Sequence, residues 1–526
     1  MLQTLTGRRG MVTAPHHLAA QAGISIMREG GNAIEAMVAA AATIAVVYPH
    51  MNSIGGDGFW LISEPGKSPI GIDACGRAAK LATARFYLDR ECAAIPARGP
   101  FAANTVAGAI SGWKAALSIG GGRLPLTRLL EDAIWYASHG APITKSQTAY
   151  TSKFLKELAG QHGFAKTYLE SGQPPEANAL RRYPALAATF EQLGERGLDD
   201  FYCGEIAHNV SDEFIRLDSP LRYADLEKHT ASVVEPLSVV LNAGVVYNLP
   251  PPTQGLASLM ILGIFERLKR AEPETFAHLH GLVEATKQAF LVRNCCVCDP
   301  REMTVDPREF LSEVSLTERA QAIDPARARP WPGESAKGDT VWLGAVDNTG
   351  RMVSYIQSVY WEFGSGVVFD SIGAAWQNRG SSFTLDPASH LYLAPWRKPF
   401  HTLNPAFARL SDDRTMVYGT MGGDGQPQTQ AAIFSRYAMF GQELQQAITA
   451  PRWLLGRTWG QESVTLKLES RIAANVVQAL ARAGHAIEVV DEFSDQMGHA
   501  GALVFHPSGV IAGAVDPRSD GAIASF

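Results

Sequence analysis

"AKGDTVWLGAVD", residues 336–347, places an alternating apolar run directly after Gly338, Asp339 and Thr340. Alternation of this kind predicts a strand. The preceding stretch, residues 318–339, is polar, holds three prolines and shows no periodic apolar face. That composition predicts an exposed, mobile connection. A strand that opens with threonine after such a connection raises the hypothesis that Thr340 becomes the first residue of a new chain.

Breaking the Asp339–Thr340 bond would change the chemistry of Thr340. A threonine hydroxyl is a poor nucleophile unless a base lies beside it. A free α-amine has a reference pKa of about 8, so it can act as that base near neutral pH. One residue would then supply both nucleophile and base. The Gly-Asp-Thr triplet is common, however, and by itself does not establish this chemistry.

The composition is that of a globular protein. The chain has 526 residues, of which 46% are hydrophobic and 19% charged, and its net charge is −6; it is long enough to bury a large core. The sequence shows no basic stripe with interleaved aromatics, so we expect no nucleic-acid partner. The most apolar run, residues 36–49, is shorter than the roughly 18 residues that a membrane span needs. It predicts a buried helix, and we expect no membrane partner. The N-terminus has no apolar signal region, so we expect a cytoplasmic protein.

Residues 17–29 have helical apolar spacing and stop at Gly30 and Gly31. Asn32 followed by Glu35 three residues later predicts a capping box that starts the next helix. Further predicted elements are helices over 126–138, 254–293 and roughly 466–484, and strands over 239–250 and from Val341 onward.

Three of the six cysteines lie together in NCCVCDP, residues 294–300. A zinc site would need a second ligand pair at suitable spacing, and the sequence shows none. We therefore interpret Cys295, Cys296 and Cys298 as buried structural thiols. Motifs for serine hydrolases, zinc proteases and dinucleotide binding are missing from the sequence. We predict no metal and no cofactor.

Several short motifs follow one another in a fixed order: GGN at 30–32, NSIGGDG at 52–58, Thr340 opening a strand, FGSG at 363–366, GTMGG at 419–423, APRW at 450–453 and DPRS at 516–519. From about Met11 to the C-terminus this set resembles the γ-glutamyltranspeptidase family of N-terminal-nucleophile hydrolases. The resemblance implies an α/β (α+β) fold, a four-layer αββα sandwich. It also implies self-cleavage into an α chain, 1–339, and a β chain, 340–526, which stay together as one compact unit.

The resemblance also implies catalytic roles. Asp339 and Thr340 flank the cleaved bond, and Thr340 is the nucleophile. Gly422 and Gly423 present backbone N–H groups to the oxyanion, and Ser358 is the hydroxyl that assists the threonine. Preorganised donors of this kind are worth about 2.7–4 kcal/mol in acyl transfer.

The head-group contacts depart from the family pattern. Cys75 stands at the position of the family's arginine, with Arg77 two residues further on. Tyr360 replaces an asparagine, and Ser381-Ser382, preceded by Arg379, replace an acidic pair. His401-Thr402 replace paired serines. The predicted substrate-binding residues are Arg77, Tyr360, Arg379, Ser382, His401 and Thr402.

These changes share a direction. The acidic group that would pair with a substrate ammonium is gone, and cationic groups remain. Bulky side chains (Trp342, Tyr360 and Trp361) reduce the room for an acyl chain. Arginine binds a carboxylate through two parallel hydrogen bonds, and Arg77 is the proposed clamp because Cys75 occupies the usual position. Either Arg77 or Arg379 could equally be a structural ion-pair partner.

The predicted substrate is a small amide that carries a carboxylate. Within the family the chain looks closest to the oxamate amidohydrolase branch, which implies hydrolysis of oxamate to oxalate and ammonia. One alternative is a γ-glutamyl hydrolase or transferase with rebuilt head-group contacts. Another is an inactive scaffold that keeps the fold and binds a partner. The oligomeric state is left open between a single αβ unit and a dimer of αβ units.

Overall fold

The computed structural model describes residues 2–268, 272–331, 339–456 and 463–526. The described strands, in chain order, are β1 (Leu5–Gly7), β2 (Gly10–Ala14), β3 (Asp57–Ser63), β4 (Ile70–Ala74), β5 (Ala141–Pro142), β6 (Leu180–Arg181), β7 (Ser232–Val234), β8 (Leu237–Leu241), β9 (Gly244–Asn248), β10 (Asp339–Asp347), β11 (Met352–Tyr360), β12 (Val368–Phe369), β13 (Ala374–Ala375), β14 (Ala406–Leu410), β15 (Thr415–Thr420), β16 (Trp453–Leu455), β17 (Leu466–Glu469), β18 (Ile487–Val490), β19 (Ala500–Phe505), β20 (Ile511–Val515) and β21 (Ala522–Ser525).

The described α-helices are α1 (His17–Arg28), α2 (Ala33–Val47), α3 (Ala84–Leu88), α4 (Ala109–Gly120), α5 (Leu126–His139), α6 (Lys145–Leu158), α7 (Phe164–Tyr168), α8 (Pro184–Arg196), α9 (Asp200–Cys203), α10 (Glu205–Arg216), α11 (Tyr223–Glu227), α12 (Gly255–Glu266), α13 (Phe276–Cys296), α14 (Glu313–Gln321), α15 (Gly425–Phe434), α16 (Leu444–Thr449) and α17 (Ala474–Ala483). Among the described residues, no helix is both long and apolar enough to cross a membrane.

Two antiparallel sheets of seven strands form the centre of the molecule. Sheet I has the order β1-β20-β19-β15-β14-β9-β8, and sheet II has the order β21-β2-β10-β11-β3-β4-β7. Each sheet combines strands from before and after Thr340. β10, which begins at the predicted cleavage site, lies inside sheet II between β2 and β11.

Three apolar clusters account for the layering. One lies between sheet II and the helices that cover it, including the fully buried α2. A second lies between sheet I and the α12, α13 and α15 group. The third lies between the two sheets and includes Phe59, Trp342 and Val417. Helices, sheet, sheet and helices therefore stack in four layers, which is the predicted αββα arrangement.

Local signals predicted the N-terminal helices well. α1 spans His17–Arg28, and the Asn32 side chain accepts the Glu35 N–H while a Glu35 carboxylate oxygen accepts the Asn32 N–H at 2.8 Å. Both the predicted helix and the predicted capping box are confirmed. The apolar run at 36–49 is a buried helix, also as predicted.

Two other predictions were wrong, and a third was right only in part. The single helix predicted over 466–484 is a strand, β17, followed by the shorter helix α17, because residues 466–469 pair with β16 and β18. The helix predicted over 254–293 is the pair α12 and α13. The stretch 318–339 is predicted to be an exposed, mobile connection: most of residues 321–330 are exposed, as predicted, but the stretch begins with the end of α14, and Trp331 packs against α13. Its residues 332–338 lie outside the described part of the chain.

The cysteine cluster is only partly buried. Cys298 is buried and Cys296 is half-buried, but Cys295 is exposed at the end of α13. The prediction of three buried thiols is therefore wrong for Cys295. The cluster sits where the helix leaves the core, so successive residues face different environments.

Candidate active site between the two sheets

Thr340 lies at the start of β10 and is 1% exposed. β10 pairs with β11 through Asp339 and Tyr360 and then through Val341 and Gln357, so the register shifts at Thr340. Such a bulge re-aims the side chain that it carries and is common beside active sites. The predicted nucleophile is thus buried at an irregular point of an otherwise regular sheet.

Ser358 lies on the neighbouring strand, opposite Asp57 of β3. Its Oγ accepts the backbone N–H of Tyr360 at 2.8 Å. Tyr360 has a φ of +83°, which is uncommon for a residue with a side chain. The Ser358 hydroxyl therefore fixes the turn that ends β11. The fold brings Thr340 and Ser358 onto adjacent strands, as the prediction of an assisting hydroxyl requires.

Gly422 and Gly423 form the loop between β15 and α15. Their φ values are +118° and +50°, conformations that favour glycine. The Gly422 carbonyl accepts the Gly425 N–H at 2.7 Å, and the Gly423 carbonyl accepts the Gln254 side-chain amide at 2.7 Å. Because both carbonyls are bound, the orientation of the loop is fixed. Preorganised backbone of this kind is what an oxyanion site requires.

Packing between the sheets brings this loop to the same end of the fold as Thr340. The Trp342 indole lies directly against Gly419, where a Cβ atom would be 2.3 Å from the ring. The same indole donates to Ser354 Oγ at 2.9 Å. Trp342 is therefore a core residue between the sheets, and the prediction that it fills the substrate pocket is wrong.

A hydrogen bond joins Asp57, on β3 of sheet II, to His401, in the segment that leads into β14 of sheet I. Asp57 Oδ2 lies 3.0 Å from His401 Nε2, and both side chains are fully buried. Asp57 Oδ1 accepts the N–H groups of Gly76 and Gly108 at 2.9 and 3.1 Å. His401 Nδ1 accepts the Leu403 N–H at 3.4 Å. The His401 Nε2 therefore carries the ring proton and donates it to Asp57.

Burial decides the charge of this pair. It lowers the pKa of His401 well below its usual value, and the positive charge of Arg379 lowers it further. Burial also raises the pKa of Asp57 to about 7, against the opposing effect of its hydrogen-bond donors. His401 is therefore neutral and both its nitrogens are engaged within the protein. These contacts assign His401 to bridging the sheets rather than to the direct substrate contact predicted for it.

Arg379 is the most unusual charged group in this region. It is 1% exposed, its guanidinium lies 3.6 Å from the centre of the Tyr360 ring, and Nη1 donates to Thr402 Oγ1 at 3.3 Å. Its Nε and Nη2 have no hydrogen-bond acceptor among the described residues. Burial lowers the pKa of Arg379 to about 10, so it still carries its charge at neutral pH. Buried donors in native proteins are normally paired. Two adjacent unpaired N–H groups match the spacing of a carboxylate.

Arg77 lies in different surroundings. Its Nη1 donates to Asp299 Oδ2 at 3.3 Å and to the Trp396 carbonyl at 3.1 Å, and about a third of the side chain is exposed. Arg301 and the Lys398 N–H also bind Asp299. Arg77 lines a cavity of about 760 Å³ together with these residues. Its contacts are those of a structural ion-pair partner, the alternative that the sequence left open.

The two remaining predicted substrate contacts differ. Thr402 is buried and supports Arg379 through its hydroxyl. Ser382 Oγ donates to the Phe400 carbonyl at 3.2 Å and is only half-buried. Thr402 therefore belongs with Arg379, whereas Ser382 bonds to the segment that leads to His401.

Sequence reasoning missed a buried network behind the glycine loop. The Gln254 amide donates to the Thr402 carbonyl at 2.8 Å as well as to Gly423. Arg293 Nη1 donates to Gln254 Oε1 at 2.9 Å and to Asp424 Oδ1 at 2.6 Å. One glutamine thus joins the loop at Gly423 to the segment that supports Arg379. Local sequence gives no signal for Arg293 or Asp424. Gln254 did carry one, because it is a polar residue at the start of an apolar helix.

Asp57, Cys75 and His401 also place three possible metal-ligand atoms within 4.8 Å of one another. Burial and the neighbouring carboxylates raise the pKa of Cys75 well above its usual value, so the thiol keeps its proton. The charge of Arg379 acts on all three groups. A protonated thiol, a histidine already bound to the aspartate and a nearby cation make a poor cation site.

Comparison with known proteins identifies the class. The family model for γ-glutamyltranspeptidase matches residues 19–526. The chain belongs to the γ-glutamyltranspeptidase family, and it is a self-processing amidohydrolase of that family.

Three individual proteins are similar to this chain over nearly its whole length. The chain is 54% identical to the oxamate amidohydrolase proenzyme of Klebsiella pneumoniae, over 98% of each chain. It is 37% identical to a glutathione hydrolase-like proenzyme (YwrD) of Bacillus subtilis, over 99% of each chain. Among solved structures, a cephalosporin acylase from Bacillus halodurans superposes with a TM-score of 0.92 at 32% identity, covering 100% of this chain and 97% of the other. The four-layer fold of this family is therefore the fold of this chain.

Proposed function

We propose that the protein cleaves itself between Asp339 and Thr340 and then hydrolyses oxamate to oxalate and ammonia. The position of Thr340 at a buried bulge beside Ser358 supports the cleavage site. The two products would be residues 1–339 and 340–526, and 526 − 339 gives 187 residues for the β chain. Both sheets contain strands from each product, so the chains cannot separate without dismantling both sheets.

The hydrolysis proceeds in two balanced steps. The Thr340 α-amine takes the hydroxyl proton as Oγ attacks the amide carbonyl, and the Gly422 and Gly423 N–H groups stabilise the oxyanion. The C–N bond breaks, and the nitrogen leaves as ammonia after receiving that proton. Water then attacks the ester on Thr340 with the amine again as base. Oxalate is released and the threonine hydroxyl is restored.

The observation that carries the substrate assignment is the unpaired edge of Arg379. A buried guanidinium with free Nε and Nη2 groups, backed by Thr402 and the Tyr360 ring, suits a small carboxylate held close to the scissile carbonyl. Among the described residues, no carboxylate accepts a hydrogen bond from Arg379, and the nearby Asp57 is already bound to His401. The 54% identical relative named for oxamate hydrolysis supports the same substrate.

A panel of small amides tests the proposal. Purified processed protein is incubated with oxamate, with acetamide, in which a methyl group replaces the carboxylate, and with a γ-glutamyl anilide. We expect ammonia release from oxamate far faster than from acetamide and no turnover of the anilide. Clear turnover of the anilide without oxamate hydrolysis would overturn the substrate assignment in favour of γ-glutamyl transfer.

A further inference from the structure

A second buried polar cluster lies far from Arg379, on α13. It consists of His280, Glu284 and Lys287, with His485 from the loop after α17, and all four are at most 7% exposed. We call this group the α-chain dock. In the proposed processing, His485 belongs to the β chain and the other three belong to the α chain.

Three polar contacts of the dock go to the segment 324–331. The His280 Nε2 lies 2.9 Å from the Asp324 carbonyl, and Lys287 Nζ donates to the Arg329 carbonyl at 2.6 Å. Glu284 accepts the Arg329 N–H at 3.2 Å. These bonds hold the backbone at Asp324 and at Arg329.

Two further contacts complete the attachment. The Ala328 N–H donates to the Ala483 carbonyl of the β chain at 2.7 Å. The Trp331 ring packs 6.1 Å from Phe290, measured between ring centres. The segment is therefore held by hydrogen bonds at Asp324, Ala328 and Arg329 and by an aromatic contact at Trp331.

The protons in the dock are fully assigned by its partners. A carbonyl only accepts, so His280 donates to Asp324 through Nε2 and its Nδ1 accepts from His485 Nε2 at 2.9 Å. Burial and the charge of Lys287 lower the pKa of His485 to about 3, so it stays neutral. Lys287 Nζ lies 2.7 Å from Glu284 Oε1. The group could be read as a metal site, but this ammonium already supplies the positive charge that Glu284 needs.

We propose that the α-chain dock holds residues 324–331 so that the Asp339–Thr340 bond is positioned for self-cleavage. After cleavage, the dock keeps the new end of the α chain against the β chain. This inference rests on the cleavage site proposed above. A buried charged cluster is expensive to form and is best explained by what it binds, and here it binds the last described segment before the cleavage site.

Chain length gives the expected size of the effect. Trp331 is nine residues before Thr340, since 340 − 331 = 9, and the chain between them can span at most about 30 Å. If the loss of the dock releases the whole segment, the nearest helix end is Gln321, nineteen residues before Thr340, and this sets the upper limit of the effect. Doubling a tether slows end-to-end encounter roughly threefold, and the loss of one ordinary hydrogen bond adds a factor of about three to ten. We expect processing to slow by roughly ten-fold.

The test uses the double variant Glu284→Gln/Lys287→Met, which removes the pair without leaving one charge buried. The control is Glu274→Gln/Arg436→Met, a pair near the start of α13 in which Arg436 donates to Glu274 and to the Pro451 carbonyl, not to 324–331. Both are made by cell-free synthesis, and the first-order appearance of the 187-residue chain is followed on denaturing gels. Thermal unfolding of each processed protein is measured alongside.

Two readouts separate positioning from general stability. Processed dock variant should keep the wild-type kcat and KM for oxamate, because the dock acts before the substrate binds. Trypsin should cut the Arg327–Ala328 bond faster in the dock variant than in the wild type or the control, because the backbone of Arg329 is no longer held by Glu284 and Lys287.

Wild-type processing with wild-type trypsin resistance would overturn the proposal. So would equal slowing in a control with the same loss of thermal stability. If Thr340→Ala is still cut at the same bond, the proposed function fails instead, whatever the dock variant does.

Discussion

Arg77 and Arg379, which the sequence predicted to bind the substrate, lie in opposite surroundings. Arg77 is partly exposed, and its Nη1 donates to Asp299 and to the Trp396 carbonyl. Arg379 is buried, and two of its N–H groups have no acceptor among the described residues. Solvent can reach the donors of a partly exposed arginine, whereas buried donors without an acceptor destabilise the protein until a ligand binds them. The contrast shows that burial and hydrogen-bond partners, rather than sequence position, distinguish an arginine that binds the substrate from one that supports the structure.

The same contrast holds for the regions around them. In the region around Arg77, which we call the rim, Arg77, Arg301 and the Lys398 N–H all bind Asp299. In the region around Arg379, which we call the interior, hydrogen bonds run from Arg379 through Thr402 and Gln254 to the Gly423 loop. Only the interior links a cation to the candidate oxyanion site. The predictions below test this division, starting with the largest expected effect.

The first prediction tests whether chemistry belongs to the interior at all. Thr340→Ala should abolish both self-cleavage and ammonia release, because it removes the attacking oxygen. Removal of a nucleophile in a comparable hydrolase costs on the order of 10⁶ in kcat. Gel analysis should show one chain of 526 residues, and Edman sequencing of the wild-type β chain should begin Thr-Val-Trp-Leu-Gly. An active wild-type protein that is still a single chain would contradict the mechanism.

The second prediction concerns the clamp. Arg379→Met should lower kcat/KM for oxamate by about thirty- to several thousand-fold, since breaking a buried charge pair costs about 2–5 kcal/mol. Turnover of acetamide and self-cleavage should barely change, because neither involves a carboxylate. Arg379→Lys should recover only part of the activity, because an ammonium lacks the planar fork.

Ligand binding provides an independent check on Arg379. Oxalate should raise the thermal midpoint of the wild-type protein and not that of Arg379→Met, because only a bound ligand stabilises the fold. Removing an unpaired buried charge should not itself lower the midpoint. Equal stabilisation of both proteins by oxalate would show that the carboxylate binds elsewhere.

The third prediction tests the link between clamp and glycine loop. Gln254→Met removes the donor that holds the carbonyls of Thr402 and Gly423, and kcat should fall about ten-fold, the effect of roughly one lost hydrogen bond of average to high strength. Gln445→Met is the matched control, a buried glutamine that donates to the Val515 carbonyl. Steady-state kinetics should show the loss in kcat for Gln254→Met only. An equal loss of kcat in the control would indicate that Gln254 acts only through packing.

Sequence predicted what local patterns determine. The capping box at Asn32 involves neighbours three residues apart, and the buried helix α2 is a single apolar run. The strand at Thr340 followed from alternation. The strand β17 was missed because its neighbours β16 and β18, rather than its own pattern, make residues 466–469 extended.

The site could be predicted only where a motif carried it. Thr340, Ser358 and the glycine loop lie in short motifs that the resemblance identified. Asp57 and His401 are 344 residues apart in the sequence, and Gln254 and Gly423 are 169 apart. Which polar groups meet at such distances depends on how the two sheets stack. For the same reason no pattern around Arg77 or Arg379 could show which would be buried without a partner.

The smallest effect is expected at Arg77, where the sequence alone predicted a large one. Asp299 keeps Arg301 and the Lys398 N–H when Arg77 is removed. The loss should therefore be that of a partly exposed ion pair, about 0.2–1 kcal/mol, and Arg77→Ala should change kcat/KM for oxamate by no more than about five-fold. The change should be similar for acetamide, because the side chain acts through Asp299 and the Trp396 carbonyl and not through a substrate carboxylate. Self-cleavage should proceed normally. If Arg77→Ala instead lowers oxamate turnover a hundred-fold while sparing acetamide, Arg77 is the clamp after all. The unpaired groups of Arg379 would then need another acceptor, and the division between rim and interior would fail.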